Sequence, residues 1–143
     1  LWAKHCNFQT SLKVPLLIKY PEQTKNQRIQ SVVELIDLFP TLCELSNLET
    51  PNHLQGKSLI EINNENSKNS VGYSSYHKGT TITTSNYSYT QWFDTQKNKV
   101  IGEMLFDLNS DDQENTSLVN DSSYKKLIST FSSKIDSLRI KNL

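Results

Sequence analysis

Three histidines, His5, His53 and His77, are the side chains best suited to proton transfer or metal ligation, and they lie scattered through 143 residues. No Ser-His-Asp order, no cluster at metal-ligand spacing and no glycine-rich loop for phosphate accompanies them. The two cysteines, Cys6 and Cys43, allow at most one disulfide and are too few for a zinc site of ordinary ligand count. The simpler reading of them is two unrelated small buried side chains. Glycosylation sequons begin at Asn86, Asn115 and Asn120, a pattern that chance often supplies in a chain rich in Asn and Ser. Residue types alone therefore assign no reaction.

The bulk properties narrow the field. A chain of 143 residues is the ordinary size of one domain. Fifteen Lys plus Arg balance fifteen Asp plus Glu, which leaves no net field to gather nucleic acid or an anionic membrane surface. The longest apolar run, residues 14–18, falls far short of the roughly 20 residues that span a bilayer. No nucleic-acid or membrane partner is expected. The opening residues, Leu1-Trp2-Ala3-Lys4-His5-Cys6, lack an initiator Met and the basic-then-apolar order of a signal peptide, so the start is read as a cut end.

The elements that must position these side chains are legible from periodicity. Residues 14–20 form a short apolar run ended by Pro21, which suits a buried strand with Pro15 at its beginning. Residues 22–30 are a polar loop. Leu35, Leu38, Leu42 and Leu45 recur at helical spacing, and Asn47 can supply the left-handed residue that ends a helix. Ser31 with Glu34 would make a capping box, but Pro40 is more comfortable in a first turn; the later start near Asp37 is favoured, with Val32-Val33 extended. Residues 63–70 are a surface loop by composition.

Beyond that loop the pattern changes. Residues 71–76, 80–84, 87–93 and 100–106 are rich in Tyr, Thr, Val and Ile and are separated by turn residues, which predicts an antiparallel meander of three or four strands. Residues 109–120 are acidic and loop-like. Tyr124, Leu127, Ile128, Phe131, Ile135 and Leu138 then line one face of a closing helix, about residues 123–139, that covers the sheet. Tyr89 and Trp92 are expected to pack between meander and helix.

A series of short segments, in order, carries a family resemblance. Leu1-Trp2-Ala3-Lys4-His5-Cys6-Asn7-Phe8 resembles the stretch that follows the Asp-His-Gly metal motif of iduronate-2-sulfatase-like sulfatases. Lys13-Val14-Pro15-Leu16-Leu17-Ile18 is similar to the family's Arg-Val-Pro-Leu strand, and Val33-Glu34-Leu35-Ile36-Asp37-Leu38-Phe39-Pro40-Thr41-Leu42 to its Val-Glu-Leu-Val-Asp-Leu-Phe-Pro-Thr-Leu. Gly56-Lys57-Ser58-Leu59, Tyr87-Ser88-Tyr89-Thr90-Gln91-Trp92 and Leu105-Phe106-Asp107 with residues 111–114 continue the match in register. The resemblance implies an α/β chain that is the C-terminal part of an alkaline-phosphatase-like sulfatase fold. One strand would belong to the large sheet, and a small antiparallel sheet would be covered by the C-terminal helix. Residues 1–62 would be the tail of the catalytic domain and residues 63–143 the C-terminal subdomain.

In function, the resemblance implies a sulfuric ester hydrolase acting on a sulfated carbohydrate. Its formylglycine nucleophile and calcium ligands would lie in an N-terminal catalytic part outside this chain, which itself would bind no metal. Of the groups that hold the sulfate, Lys4 alone maps here, as a catalytic and substrate-binding ammonium against a sulfate or leaving oxygen; fixed cations favour a transfer in which those oxygens gain charge. His5 and His77 map near the sugar as substrate-binding candidates, with Tyr76 and Lys78 beside His77. A secreted, periplasmic or lysosomal setting is implied. Thr83, Ser85-Asn86 and Ser88 replace residues among which the family commonly carries arginines, so heparan-type, dermatan-type and other sulfated polysaccharides all stay open. The competing reading is a non-catalytic packing or binding module of a related phospho- or phosphonate hydrolase.

Overall fold

A computed structural model describes residues 5–21, 26–60, 62 and 70–141. They divide into two compact units, one made of the N-terminal segment up to Val14 together with the chain from Tyr73 onward, the other of Pro15–Gly72.

In the first unit, β1 (Gly72–Tyr76), β2 (Gly79–Thr83), β3 (Tyr87–Asp94) and β4 (Lys99–Asp107) form an antiparallel meander in that order. The connections explain themselves chemically. His77-Lys78 is a two-residue hairpin loop with His77 at φ 52°. Thr84 turns the chain between β2 and β3: its hydroxyl accepts from the Tyr87 N–H at 2.9 Å, and its N–H donates to the Tyr87 carbonyl at 2.8 Å. Between β3 and β4, Asp94 accepts from the N–H groups of Gln96 and Lys97, and Asn98 takes the left-handed conformation at φ 46°. Short polar side chains that bond their own backbone make such turns inexpensive.

Strand periodicity sorts β3 onto two faces. Tyr89, Gln91 and Phe93 point to α3 (Lys125–Lys141): Tyr89 stacks on Phe131 at 5.9 Å, the Gln91 amide donates to Ser132 Oγ at 2.9 Å, and the Arg139 guanidinium lies 3.6 Å from the Phe93 ring centre. Phe131 and Ile135, one helical turn apart, are buried against that face, as the apolar stripe predicts. The Tyr89 hydroxyl donates to the Glu103 carboxylate, and burial first, then that carboxylate, push the phenol well above its usual range. Asp121 starts the helical segment by accepting from the Ser123 N–H.

Ser88, Thr90 and Trp92 point to the opposite face. Trp92 therefore does not pack under the closing helix as Tyr89 does; three residues away along a strand, it must turn to the other side. There its partners across the ladder are two glycines, Gly79 on β2 and Gly102 on β4, which leave room for the indole. Thr81 and Thr90 share a buried hydroxyl hydrogen bond of 2.8 Å on this face.

In the second unit, a 3-10 turn, Leu35–Asp37, leads into α2 (Leu38–Leu45), so the helical segment begins late, with Pro40 in its first turn. The capping box is formed by Glu34 and Asp37 rather than by Ser31 and Glu34, and the Glu34 N–H donates to Asp37 Oδ2 at 2.9 Å. Asn47, at φ 51°, ends α2 and lets the Leu48 N–H reach back to the Cys43 carbonyl at 2.9 Å. A β-carbon at Gly56 would overlap the Ile36 carbonyl, so only glycine admits this approach. The strand expected at residues 14–20 does not form in this chain. The segment is irregular and Leu17 is 91% exposed, because an extended run becomes a strand only when a neighbour completes its ladder. Residues 22–25 of the expected first loop and 63–69 of the second lie outside the described residues. Cys6 and Cys43 are free thiols.

Candidate functional site

The segment that carries His5 is held on the Trp92 face of the sheet by consecutive side chains. Phe8 meets Phe106 at 5.9 Å and ends in the extended conformation that starts the one-turn helix α1 (Gln9–Leu12). The Gln9 N–H donates to the Glu114 carboxylate at 2.6 Å, and the Gln9 side-chain amide donates to Thr83 Oγ1 at 3.3 Å. Glu114 is 7% exposed and sits at φ 55°. Burial raises its carboxyl above the ordinary range, while the Gln9 N–H and the Ser88 hydroxyl pull the other way. Cys6 is fixed by a 2.8 Å contact between its thiol and the Ser11 hydroxyl. Burial raises that thiol, and bonds to Ser11, Phe8 and Thr10 more than reverse the shift.

Asn7 goes deepest. Its side chain is 4% exposed and lies under the hairpin loop between β1 and β2, where its amide donates to the Tyr76 carbonyl at 3.5 Å. A β-carbon on Gly79 would overlap that amide and lie 2.7 Å from the Trp92 indole nitrogen. The loop above it carries the aromatic cluster: the His5 ring lies 5.6 Å from Tyr76, and Tyr76 meets His77 edge-on at 4.3 Å. Thus the structure brings together His5 and His77, residues 72 apart that the sequence singled out separately, with Tyr76 between them. Both imidazoles and Lys78 are exposed, while Tyr76 is half-buried.

Such a group offers a ring surface for the apolar face of a sugar and imidazole nitrogens for its hydroxyl, carboxylate or sulfate oxygens. It contains no nucleophile paired with a base. Among the described residues there is no group of three or more His, Cys, Asp or Glu side chains placed to hold a metal ion. Lys4 lies outside the described residues. Asn7 and Gly79 are not legible as partners in the sequence, because their meeting depends on pairing between segments about 70 positions apart. Among the described residues no helix is long and apolar enough to cross a membrane.

The family described as N-sulphoglucosamine sulphohydrolase, C-terminal, matches residues 1–141. A protein named Sulfatase from Formosa agariphila is 30% identical over 141 residues, covering 96% of this chain and 25% of the relative. Arylsulfatase K from Bos taurus is 28% identical over 143 residues, covering 92% of this chain and 26% of the relative. Among solved structures, one described as a 2-O GAG sulfatase is 28% identical with a TM-score of 0.56, covering 73% of this chain and 24% of that one. The chain thus spans about a quarter of the length of the curated relatives it matches. The small sheet and C-terminal helix are those of the alkaline-phosphatase-like fold of sulfatases.

Proposed function

Because this chain belongs to the N-sulphoglucosamine sulphohydrolase C-terminal family, we propose that it is the C-terminal part of a sulfatase that hydrolyses sulfate esters on sulfated sugars. The observation that carries the reading is the match over residues 1–141 to a family whose curated relatives are about four times as long. A 2-O GAG sulfatase and arylsulfatase K among the similar proteins support a sulfated carbohydrate as substrate. The iduronate-2-sulfatase-like motifs favour a 2-O-sulfated uronic acid within that class, in a secreted, periplasmic or lysosomal setting.

In this reading the formylglycine nucleophile and the calcium ligands belong to the remainder of the protein, and this chain contributes recognition and one cation. Lys4 would hold a sulfate or leaving oxygen with its compact ammonium. His5 and His77, joined through Tyr76, would meet the sugar or its carboxylate. The aromatic cluster supports this assignment because its two imidazoles are exposed and one of them, His5, follows Lys4 directly in the sequence.

The test is kinetic. In the full-length enzyme, Lys4→Ala is expected to lower turnover of a sulfate ester on the order of 100- to 1000-fold, the usual cost of removing one preorganised charge-stabilising group. The melting temperature should barely move, since truncating an ordinary surface lysine changes stability by under about 0.5 kcal/mol. Lys4→Arg should rescue little, because a planar fork replaces a point charge. Near-parental turnover in the alanine variant would remove Lys4 from the site. Faster cleavage of a phosphate or phosphonate ester than of any sulfate ester by the parent enzyme would overturn the sulfatase reading.

A further inference from the structure

We infer that Asn7 is a positioning residue, which fixes the segment bearing His5 to the turn bearing His77 so that the two imidazoles meet a saccharide as one surface. The inference rests on the sulfatase reading above and adds to it a residue that touches neither the sugar nor the sulfate.

The geometry is that of a wedge. Asn7 reaches the Tyr76 carbonyl, at one end of the two-residue loop, and lies against Gly79, at the other end, so its amide spans the whole His77-Lys78 turn from below. Glycine at position 79 leaves that space open, because a β-carbon there would displace the amide. The turn is pinned on its far side by the Phe93 N–H, which donates to the Lys78 carbonyl at 2.9 Å. His77 itself sits in the left-handed conformation at φ 52°, which turns the chain sharply between the two strands. Two residues before Asn7, the His5 ring comes to Tyr76. Asn7 is therefore the side chain through which the position of one imidazole is referred to the other.

As a stabilising device, this residue is poorly chosen. Its donor bond is long, at 3.5 Å, and its carbonyl oxygen is buried with no hydrogen-bond partner among the described residues. A buried polar atom left unpaired opposes folding, and an apolar side chain of similar shape would avoid that cost. What the amide supplies and leucine could not is a directional link to the Tyr76 carbonyl. Small displacements of groups that orient a substrate weaken recognition disproportionately, which gives the link its consequence.

The discriminating experiment uses the full-length enzyme with a 2-O-sulfated uronate disaccharide and, separately, a small aryl sulfate. Asn7→Leu keeps the shape, removes the donor and removes the unpaired oxygen. The expected result is a KM for the disaccharide raised about tenfold, in line with one lost orienting hydrogen bond, with kcat within about twofold and a melting temperature equal to or above the parent's. Gly79→Ala, which displaces the amide without altering Asn7, should give the same split between KM and kcat and serves if Asn7→Leu does not fold. If kcat falls and KM rises for both esters, with a lower melting temperature, in both variants, Asn7 is a packing residue and the inference is overturned while the sulfatase reading stands. If disaccharide KM is unchanged in well-folded variants, the inference is likewise overturned. A parent enzyme that cleaves neither ester overturns the sulfatase reading and this inference with it.

Discussion

Glu114 carries a carboxyl into a nearly closed environment and spends it on a single backbone donor, the Gln9 N–H at 2.6 Å. Burial outweighs that bond, so its pKa is raised in the folded state. A raised folded pKa means that protonation is favoured by folding: the associated stability is fully present below the ordinary carboxylate value and is lost as pH rises through the folded value. Asp111, three residues earlier, has the opposite sign. Its carboxylate accepts from the N–H groups of Asn115 and Thr116, both at 2.8 Å, and these bonds hold its pKa below the ordinary value. Its contribution is present at neutral pH and is lost as pH falls through that lowered value. Two variants separate the effects. Measured by chemical denaturation across pH, the parent should gain on Glu114→Gln as pH falls from 7 toward 4. The deficit of Asp111→Asn should be largest near neutrality and vanish in acid. A pH-independent difference for both would contradict the assigned carboxyl environments.

At the scale of elements, the meander and its helix follow from patterns that a strand and a helix cannot share. All four strands lie within one or two residues of the positions that their Tyr, Thr, Val and Ile content and the turns between them predict, and Asn47 ends α2 in the left-handed conformation expected of it. Where the reading failed, the reason was non-local. Residues 14–20 have the composition of a strand, but composition cannot supply a neighbouring ladder, and the segment is irregular. Trp92 was assigned to the helix side by its aromatic character, whereas its parity along β3 and the glycines opposite it send it to the other face. The His5–Tyr76 contact joins segments whose distance in sequence conceals it. The helix interface itself makes a quantitative claim. Ile135 is fully buried and one turn from Phe131, so Ile135→Ala should cost about 2–5 kcal/mol through lost burial and the cavity left behind. Lys134→Ala, at an exposed neighbouring position, should stay within about 0.5 kcal/mol. Equal denaturation midpoints for the two variants would show that α3 does not seal the sheet through this stripe.

For the molecule as a whole, the second unit presents an apolar surface that a self-sufficient protein would be expected to cover. Leu35, Ile36, Phe39 and Leu42, spaced along the 3-10 turn and α2, are each between 50% and 65% exposed. Contiguous apolar residues of this kind mark a contact surface or an aggregation liability. If the proposed reading holds, the remainder of a sulfatase about four times the length of this chain would cover it. The same partition governs the chemistry. In the proposed reading the nucleophile and the calcium ligands lie outside this chain, and a cation or donor can stabilise a developing charge only where an attacking group produces one. The isolated 143-residue chain, incubated with an aryl sulfate and calcium, should therefore show no turnover above buffer, while the full-length enzyme under the same conditions does. It should also bind an apolar-surface dye more strongly than the full-length enzyme does, and Leu42→Ser should reduce that binding. Turnover by the isolated chain that disappears on Lys4→Ala would mean that these 143 residues contain their own nucleophile, and the division of labour between this chain and its parent enzyme would have to be abandoned.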